Sequence, residues 1–437
     1  MAEAKKFRNT ASVCPVCFKK ISALLLAKED GVYMEKECPT HGSFSEIVWR
    51  NNGDISDWYG DAQPLEEGEL KNCPADCANG LCAEHKNDTC CVVLEVTERC
   101  SLHCTYCFAD GGSAEPSLME LRSQMKTFVR PGKTLVQLSG GEPTMREDLC
   151  EIVSSAKELG CKYVQLNSNG IRLAEDEGLA ARLAEAGLSF VFLQFDGLDD
   201  EAYTKLRGRP LAEIKKKAIA NCALHNLGVT LVSTVVRGVN DHLIGDILCY
   251  AVQMSPFVRG VHFQPVAHIG RLPHLPYDSD RFTLDELMAE VESQSCGLVH
   301  RENLLPSKCD HPMCGFHGDF IVLEDGSLYP ITQKREDAPC CCCGSKSPAD
   351  SNREFVGRRW QRADDNKNSC CCGSDSHDIH DLDYFGKRLK SHGFTVTSMA
   401  FQDAGILDIE RLSRCSLHVF KDGRLRPFCA NYLTPWK

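Results

Sequence analysis

From Val92 to about residue 300, short apolar runs alternate with longer amphipathic stretches. The apolar runs are Val92–Val96, Thr134–Leu138, Tyr163–Leu166, Phe190–Phe195, Thr230–Val236 and Gly260–Phe263. Each is short and rich in β-branched or aromatic side chains, the composition of a buried strand. Between them, Arg146–Leu159, Asp176–Ala186, Leu211–His225 and Asp241–Met254 carry apolar residues at helical spacing. Strands that alternate with helices predict an α/β fold built on a parallel sheet. Six alternations are too few for a closed eight-fold barrel, so the pattern predicts a partial (β/α)6 barrel. In such a barrel, chemistry gathers at the C-terminal ends of the strands.

The flanks read differently. Residues 1–50 predict a small ribbon with a rubredoxin- or zinc-type metal site. Residues 51–91 are loop-rich, with Pro64, Pro74 and spaced cysteines, and 92–300 form the barrel. Residues 301–339 make a second cysteine region. Residues 340–378 read as a low-complexity polar insertion carrying the tracts Cys340–Cys343 and Cys370–Cys372, and 379–437 as an ordered closing region. A flexible thiol-rich loop of that kind suits soft ions or a substrate thiol, and is equally consistent with a dispensable insertion.

Charge and composition narrow the function. The net charge of −12 argues against nucleic acid, because neutralising phosphates takes clustered Lys and Arg. No run of 18 apolar residues is present, and no apolar stretch follows Met1-Ala2-Glu3-Ala4-Lys5-Lys6, so neither a membrane span nor a secretory signal is expected. The expected compartment is cytoplasmic, with peripheral membrane contact left open. The 27 cysteines are far too many for ordinary packing. In a reducing compartment, clustered cysteines read as metal ligands or redox groups. Cys150, Cys161, Cys222, Cys249 and Cys296 stand alone in apolar or helical contexts and read as packing residues.

The first barrel strand runs into Thr97-Glu98-Arg99-Cys100-Ser101-Leu102-His103-Cys104-Thr105-Tyr106-Cys107. Three thiolates from one tight loop suit three irons of a [4Fe–4S] cubane, leaving the fourth iron without a protein ligand. A partial zinc site is the alternative for three cysteines taken alone. The second strand ends in Ser139-Gly140-Gly141-Glu142-Pro143-Thr144. The third ends in Asn167-Ser168-Asn169-Gly170 and the fourth in Gln194-Phe195-Asp196-Gly197. The fifth carries Ser233 and Thr234, and the sixth Gln264-Pro265. Glycines permit close backbone approach, and a carboxylate suits an ammonium group.

This order of motifs resembles the radical S-adenosylmethionine (SAM) superfamily. The resemblance implies that Cys100, Cys104 and Cys107 hold the cluster and that SAM chelates its open iron. It implies reductive cleavage of SAM to methionine and a 5′-deoxyadenosyl radical that takes hydrogen from substrate carbon. Tyr106, Gly140, Gly141, Glu142, Pro143, Asn167, Ser168, Asn169, Asp196, Ser233 and Gln264 are the implied SAM contacts. A reductase such as ferredoxin or flavodoxin is the implied electron source.

Two further cysteine patterns carry metal chemistry. Cys14-Pro-Val-Cys17 followed by Cys38-Pro-Thr-His41 gives two knuckles suited to tetrahedral zinc or iron. Cys73, Cys77, Cys82 and Cys90, and separately Cys309, Cys314, Cys415 and Cys429, are candidates for auxiliary iron–sulfur clusters, with structural zinc as the alternative. Across nearly the whole chain the arrangement resembles one branch of the superfamily. That branch includes archaeal tetraether lipid synthase, hydroxymethylpterin methyltransferase-like proteins and the TrsS relatives, some of which contain selenocysteine. It implies either coupling of lipid chain ends or methylation and related modification of a pterin, peptide or small metabolite. From a different class, a cysteine-rich metal-binding or redox protein without catalysis would need no SAM cradle at the strand ends.

Overall fold

The computed structural model describes residues 5–60, 81, 85–109, 111–307, 309–332, 347–362, 379 and 381–436. The expectations placed on Cys73, Cys77, Cys82, Cys340–Cys343 and Cys370–Cys372 lie outside these residues.

The N-terminal unit is an antiparallel meander of β1 (Lys5–Val13), β2 (Lys20–Ala27), β3 (Val32–Cys38) and β4 (Gly42–Trp49), paired in chain order. Alternation decides which face is inside. In β3, Val32, Met34, Lys36 and Cys38 are buried while the residues between them are more exposed. The ribbon is tied to the rest of the chain. Lys36 Nζ donates to the Ala404 carbonyl at 2.8 Å, and Arg281 bridges Glu46 of β4 at 2.8 Å to Asp403 at 2.6 Å.

All six expected barrel strands are present: β5 (Cys91–Thr97), β6 (Leu135–Gly140), β7 (Tyr163–Ser168), β8 (Phe190–Gln194), β9 (Gly228–Val235) and β10 (Val258–Pro265). They pair in parallel in chain order. The four expected helices form as Leu149–Glu158, Leu179–Glu185, Ala212–Leu224 and Ile244–Gln253.

The sheet does not stop at six strands. After β11 (Leu305–Pro306), β12 (Phe316–Val322) and β13 (Leu328–Pro330), β14 (Gly393–Ser398) adds in parallel to β10. At the other edge β15 (Leu417–Lys421) adds in parallel to β5 and is followed by β16 (Arg424–Pro427). The parallel run therefore has eight strands, and the boundary expected near residue 300 is corrected. An edge strand leaves a row of backbone groups unpaired, and these later segments pair with it.

The low-complexity reading of 340–378 is corrected in part. Pro348–Trp360 is a helix capped by Ser347, whose hydroxyl accepts from the Asp350 N–H at 3.2 Å. It packs at the foot of the barrel. Trp360 lies against Phe192 with ring centroids 4.5 Å apart, and its indole N–H donates to Thr395 Oγ1 at 2.9 Å. Gly228, at the first position of β9, accepts this helix end because a Cβ there would meet the Trp360 carbonyl at 2.1 Å. Among the described residues no helix is long and apolar enough to cross a membrane.

Candidate active site

The Cys100–Cys107 loop leaves the C-terminal end of β5 and is held by backbone contacts with the loop after β6. The Gly141 N–H donates to the Thr97 carbonyl at 2.7 Å and the Glu142 N–H to the Arg99 carbonyl at 2.8 Å. Gly140 has φ +122°, and a Cβ on it would meet Thr97 O at 2.2 Å. A Cβ on Gly141 would meet Arg99 O at 2.2 Å. The glycine pair is thus required by the close approach of two backbones, one of which carries the cysteines. Cys100 is exposed, and Cys104 and Cys107 are half-buried. Burial around its sulfur pushes the Cys100 thiol up to about 11, and burial also raises Cys107.

A cavity of about 330 Å³ opens beside the three cysteines. Tyr106, Gly140, Gly141, Glu142, Asn167, Ser168, Asn169 and Gln264 line it. Glu142 is buried and its carboxylate joins two loops. Oε1 accepts from the Ser168 hydroxyl at 2.8 Å and the Thr144 hydroxyl at 2.6 Å, and Oε2 accepts from the Asn169 N–H at 2.6 Å. Asn169 reaches back to the cysteine loop, its amide donating to Ser101 Oγ at 3.1 Å.

Three expected contacts are corrected. Ser233 does not line the cavity. Its neighbour Thr234 does, because alternate strand residues face opposite sides of the sheet. Pro143 opens a short 3₁₀ turn and is buried outside the cavity lining. Asp196 is fully buried and committed to the protein. It makes a two-pronged ion pair with Arg207, at 2.7 and 2.9 Å, and accepts the Thr234 N–H at 3.2 Å and an amide N–H of Gln194.

Sequence reasoning missed Arg207, which lines the cavity and donates to Asp196 and to Thr234 Oγ1 at 3.1 Å. It also missed Lys215. That residue lies in a run, Glu213-Ile214-Lys215-Lys216-Lys217, that resembles a solvated helix face. The available signal was spacing: Lys215 shares one helix face with Ala218, Ile219 and Cys222, all buried.

Deeper in the barrel the cavity is lined by Gln137, Gln165, Gln194 and His262, with Phe192, Val232 and Trp360 between them. Gln165 Nε2 donates to Asn167 Oδ1 at 2.9 Å. His262 is stacked on Phe192 at 5.5 Å and hydrogen-bonded through Nδ1 to Thr397 Oγ1 at 2.8 Å. Burial lowers its pKa to about 4, so it is neutral near pH 7.

The same cavity is walled by Cys90, Asp310 and Ser416, next to a second gathering of cysteines. Asn352 donates to Cys90 Sγ at 3.3 Å, and the Cys309 thiol donates to Asp310 Oδ2 at 3.2 Å. Arg411 Nε donates to Cys314 Sγ at 3.2 Å, and the Gln402 N–H donates to Cys429 Sγ at 3.3 Å. Sequence separation had hidden that Cys90, before β5, meets residues more than 200 positions away.

In the ribbon, ligand atoms of Cys14, Cys17, Cys38 and His41 all lie within 4.8 Å of one another. Hydrogen bonding, led by the Thr40 backbone, lowers the Cys38 thiol to about 6. Three sulfurs and one nitrogen at this spacing fit a tetrahedral zinc or iron ion.

A parallel barrel whose first strand ends in a three-thiolate loop, with a glycine-lined cavity beside it, defines a radical SAM enzyme. Residues 94–250 match the family described as the radical SAM superfamily, and residues 7–50 match the HMPTM N-terminal zinc ribbon domain. The chain is 32% identical to the 7,8-dihydro-6-hydroxymethylpterin dimethyltransferase of Methanocaldococcus jannaschii, over 97% of this chain and 92% of that protein. It is 33% identical to a probable GTP 3′,8-cyclase of Methanothermobacter thermautotrophicus over 35% of this chain and 50% of that one. Among solved structures, Streptococcus suis SuiB bound to S-adenosylmethionine covers 47% of each chain at 15% identity and a TM-score of 0.40. The chain belongs to the radical SAM family that contains the pterin dimethyltransferase, and its cofactors are a [4Fe–4S] cluster, SAM and a ribbon-bound zinc or iron.

Proposed function

We propose that this radical SAM enzyme modifies a carbon of a small, planar, nitrogen-rich metabolite of the pterin class, with methylation, the methyl coming from a second SAM or another one-carbon donor, as the favoured outcome. The observation that carries the reading is the cavity lining. Amide side chains from successive strands alternate with Phe192 and Trp360. Amides match the donor and acceptor edge of a heterocycle, and aromatic faces match its plane. About 330 Å³ is at the low end of the ~300–1,000 Å³ that holds one small ligand. The relative named for a pterin substrate supports the same choice.

With SAM bound at the reduced cluster, the cofactor supplies a 5′-deoxyadenosyl radical able to take hydrogen from unactivated carbon. The chain's own residues do the positioning. Cys100, Cys104 and Cys107 hold the cluster. Glu142 fixes the loops after β6 and β7 around the cavity mouth. Tyr106, Asn167, Asn169 and Gln264 face the SAM side. Neutral His262, Gln137 and Gln165 orient the substrate, and the barrel walls exclude water. Cys90, Cys309, Cys314, Cys415 and Cys429, with Cys73, Cys77 and Cys82, are the proposed ligands of auxiliary clusters. Ferredoxin or flavodoxin is the proposed donor, and a cytoplasmic location is proposed with it.

The test is anaerobic reconstitution, addition of dithionite and SAM, and assay of 5′-deoxyadenosine with 6-hydroxymethyl-7,8-dihydropterin present. Methylated pterin supports the reading. Turnover of added lipid to chain-coupled product, with the pterin unchanged, would replace it by lipid coupling. Intact SAM would sink the radical mechanism itself.

A further inference from the structure

Lys215 is fully buried on the helix Ala212–Leu224, with its ammonium beneath the strand ends. It donates to the Asn169 carbonyl at 2.5 Å and to Gln194 Oε1 at 2.7 Å. The Tyr203 ring lies 5.5 Å from it. Each of the two acceptors begins an arm that ends on the cysteine loop. Along one arm, the Asn169 side chain donates to Ser101, next to Cys100. Along the other, the Gln194 amide holds Asp196, Asp196 holds Arg207, and the carbonyl of the adjacent Leu206 accepts the Thr105 N–H of the cysteine loop at 3.0 Å.

We infer that Lys215 is a positioning residue that clasps the cysteine loop from both sides and so sets the cluster against the SAM cradle.

Burying an ammonium is costly unless charges and acceptors surround it. Asp196, Glu142 and Cys104 favour its charge, Arg207 opposes it, and burial lowers its pKa to about 7. A position serving only to fill space would hold an apolar side chain at less cost, since the same helix face already carries Ala218 and Ile219. The ammonium also fixes which way the Gln194 amide points. Its oxygen faces the lysine, so its N–H₂ faces Asp196.

The inference rests on the radical SAM class and can fail separately from it. The test compares reconstituted wild type, Lys215→Met and Gln194→Leu in the absence of added substrate. Three quantities are read: iron content, the change that SAM produces in the electron paramagnetic resonance spectrum of the reduced cluster, and the KM for SAM in 5′-deoxyadenosine formation. Loss of a charged hydrogen bond predicts that Lys215→Met raises this KM by roughly tenfold or more and blunts the spectral change, with iron content retained. Gln194→Leu shifts both readings in the same direction, and it serves as the deciding variant should Lys215→Met fail to fold or load. A lower melting temperature with wild-type KM and spectrum would mean a merely structural lysine and overturns the inference, as does a wild-type response from Gln194→Leu. Wild type that cleaves no SAM would instead overturn the class.

Discussion

The ribbon tetrad and the barrel cysteine loop are both short-spaced cysteine sites, yet they are built to opposite ends. In the ribbon, four ligand atoms already converge within 4.8 Å, and two hairpin-linked knuckles supply them. Hydrogen bonding lowers the Cys38 thiol to about 6, whereas burial raises Cys14. The barrel loop offers three sulfurs, of which Cys100 is exposed and Cys104 and Cys107 are half-buried. One site is closed by its own ligands, and the other opens onto a cavity. A closed donor set stabilises a fold, whereas an incomplete one leaves a position for chemistry.

That contrast is broken most severely by Cys104→Ala. Formation of 5′-deoxyadenosine is expected to fall to background, a loss of roughly a thousand-fold or more, while ribbon metal measured by elemental analysis is unchanged. The converse variant, Cys38→Ser, is expected to lose the ribbon metal and lower the melting midpoint by roughly 10 °C, with the [4Fe–4S] absorbance retained. Loss of the cluster in that variant would show that the two sites are not separable.

Glu142→Gln sharpens the cavity side. The carboxylate accepts from Ser168, Thr144 and Asn169, so its neutralisation is expected to weaken SAM binding by roughly 30-fold in calorimetry. A pH prediction follows from His262, whose folded pKa near 4 lies below the ordinary 6.5. The unfolded state binds the extra proton, so stability from this group is complete above pH 6.5 and is lost as pH falls toward 4. The loss is on the order of 3 kcal/mol, and denaturant midpoints for His262→Asn should lack that part of the slope. The smallest effect is expected of Ser233→Ala, with SAM affinity within about twofold of wild type, whereas Thr234→Val, facing the cavity, weakens it more.

Much of this molecule was legible in one dimension. The Cys100–Cys107 spacing, the ribbon knuckles and the six strands are local signals, because loop chelation and strand alternation depend on residues close in sequence. The parity error at Ser233 has a local cause too: a strand pattern gives two faces but does not say which one lines the barrel until neighbouring strands fix the register. Asp196 was found as a polar strand end, but its ion pair with Arg207 needed the following helix to fold back over the strand ends.

By itself, then, the amino-acid order determined the metal chemistry and the repeating α/β scaffold, since both are carried by residue type at short range. Only tertiary structure decided that β14 and β15 extend the parallel sheet, that Cys90 and Asp310 wall the barrel cavity, and that Lys215 is buried rather than solvated. Those outcomes depend on burial and on contacts between residues far apart in the chain, which no short window of sequence contains.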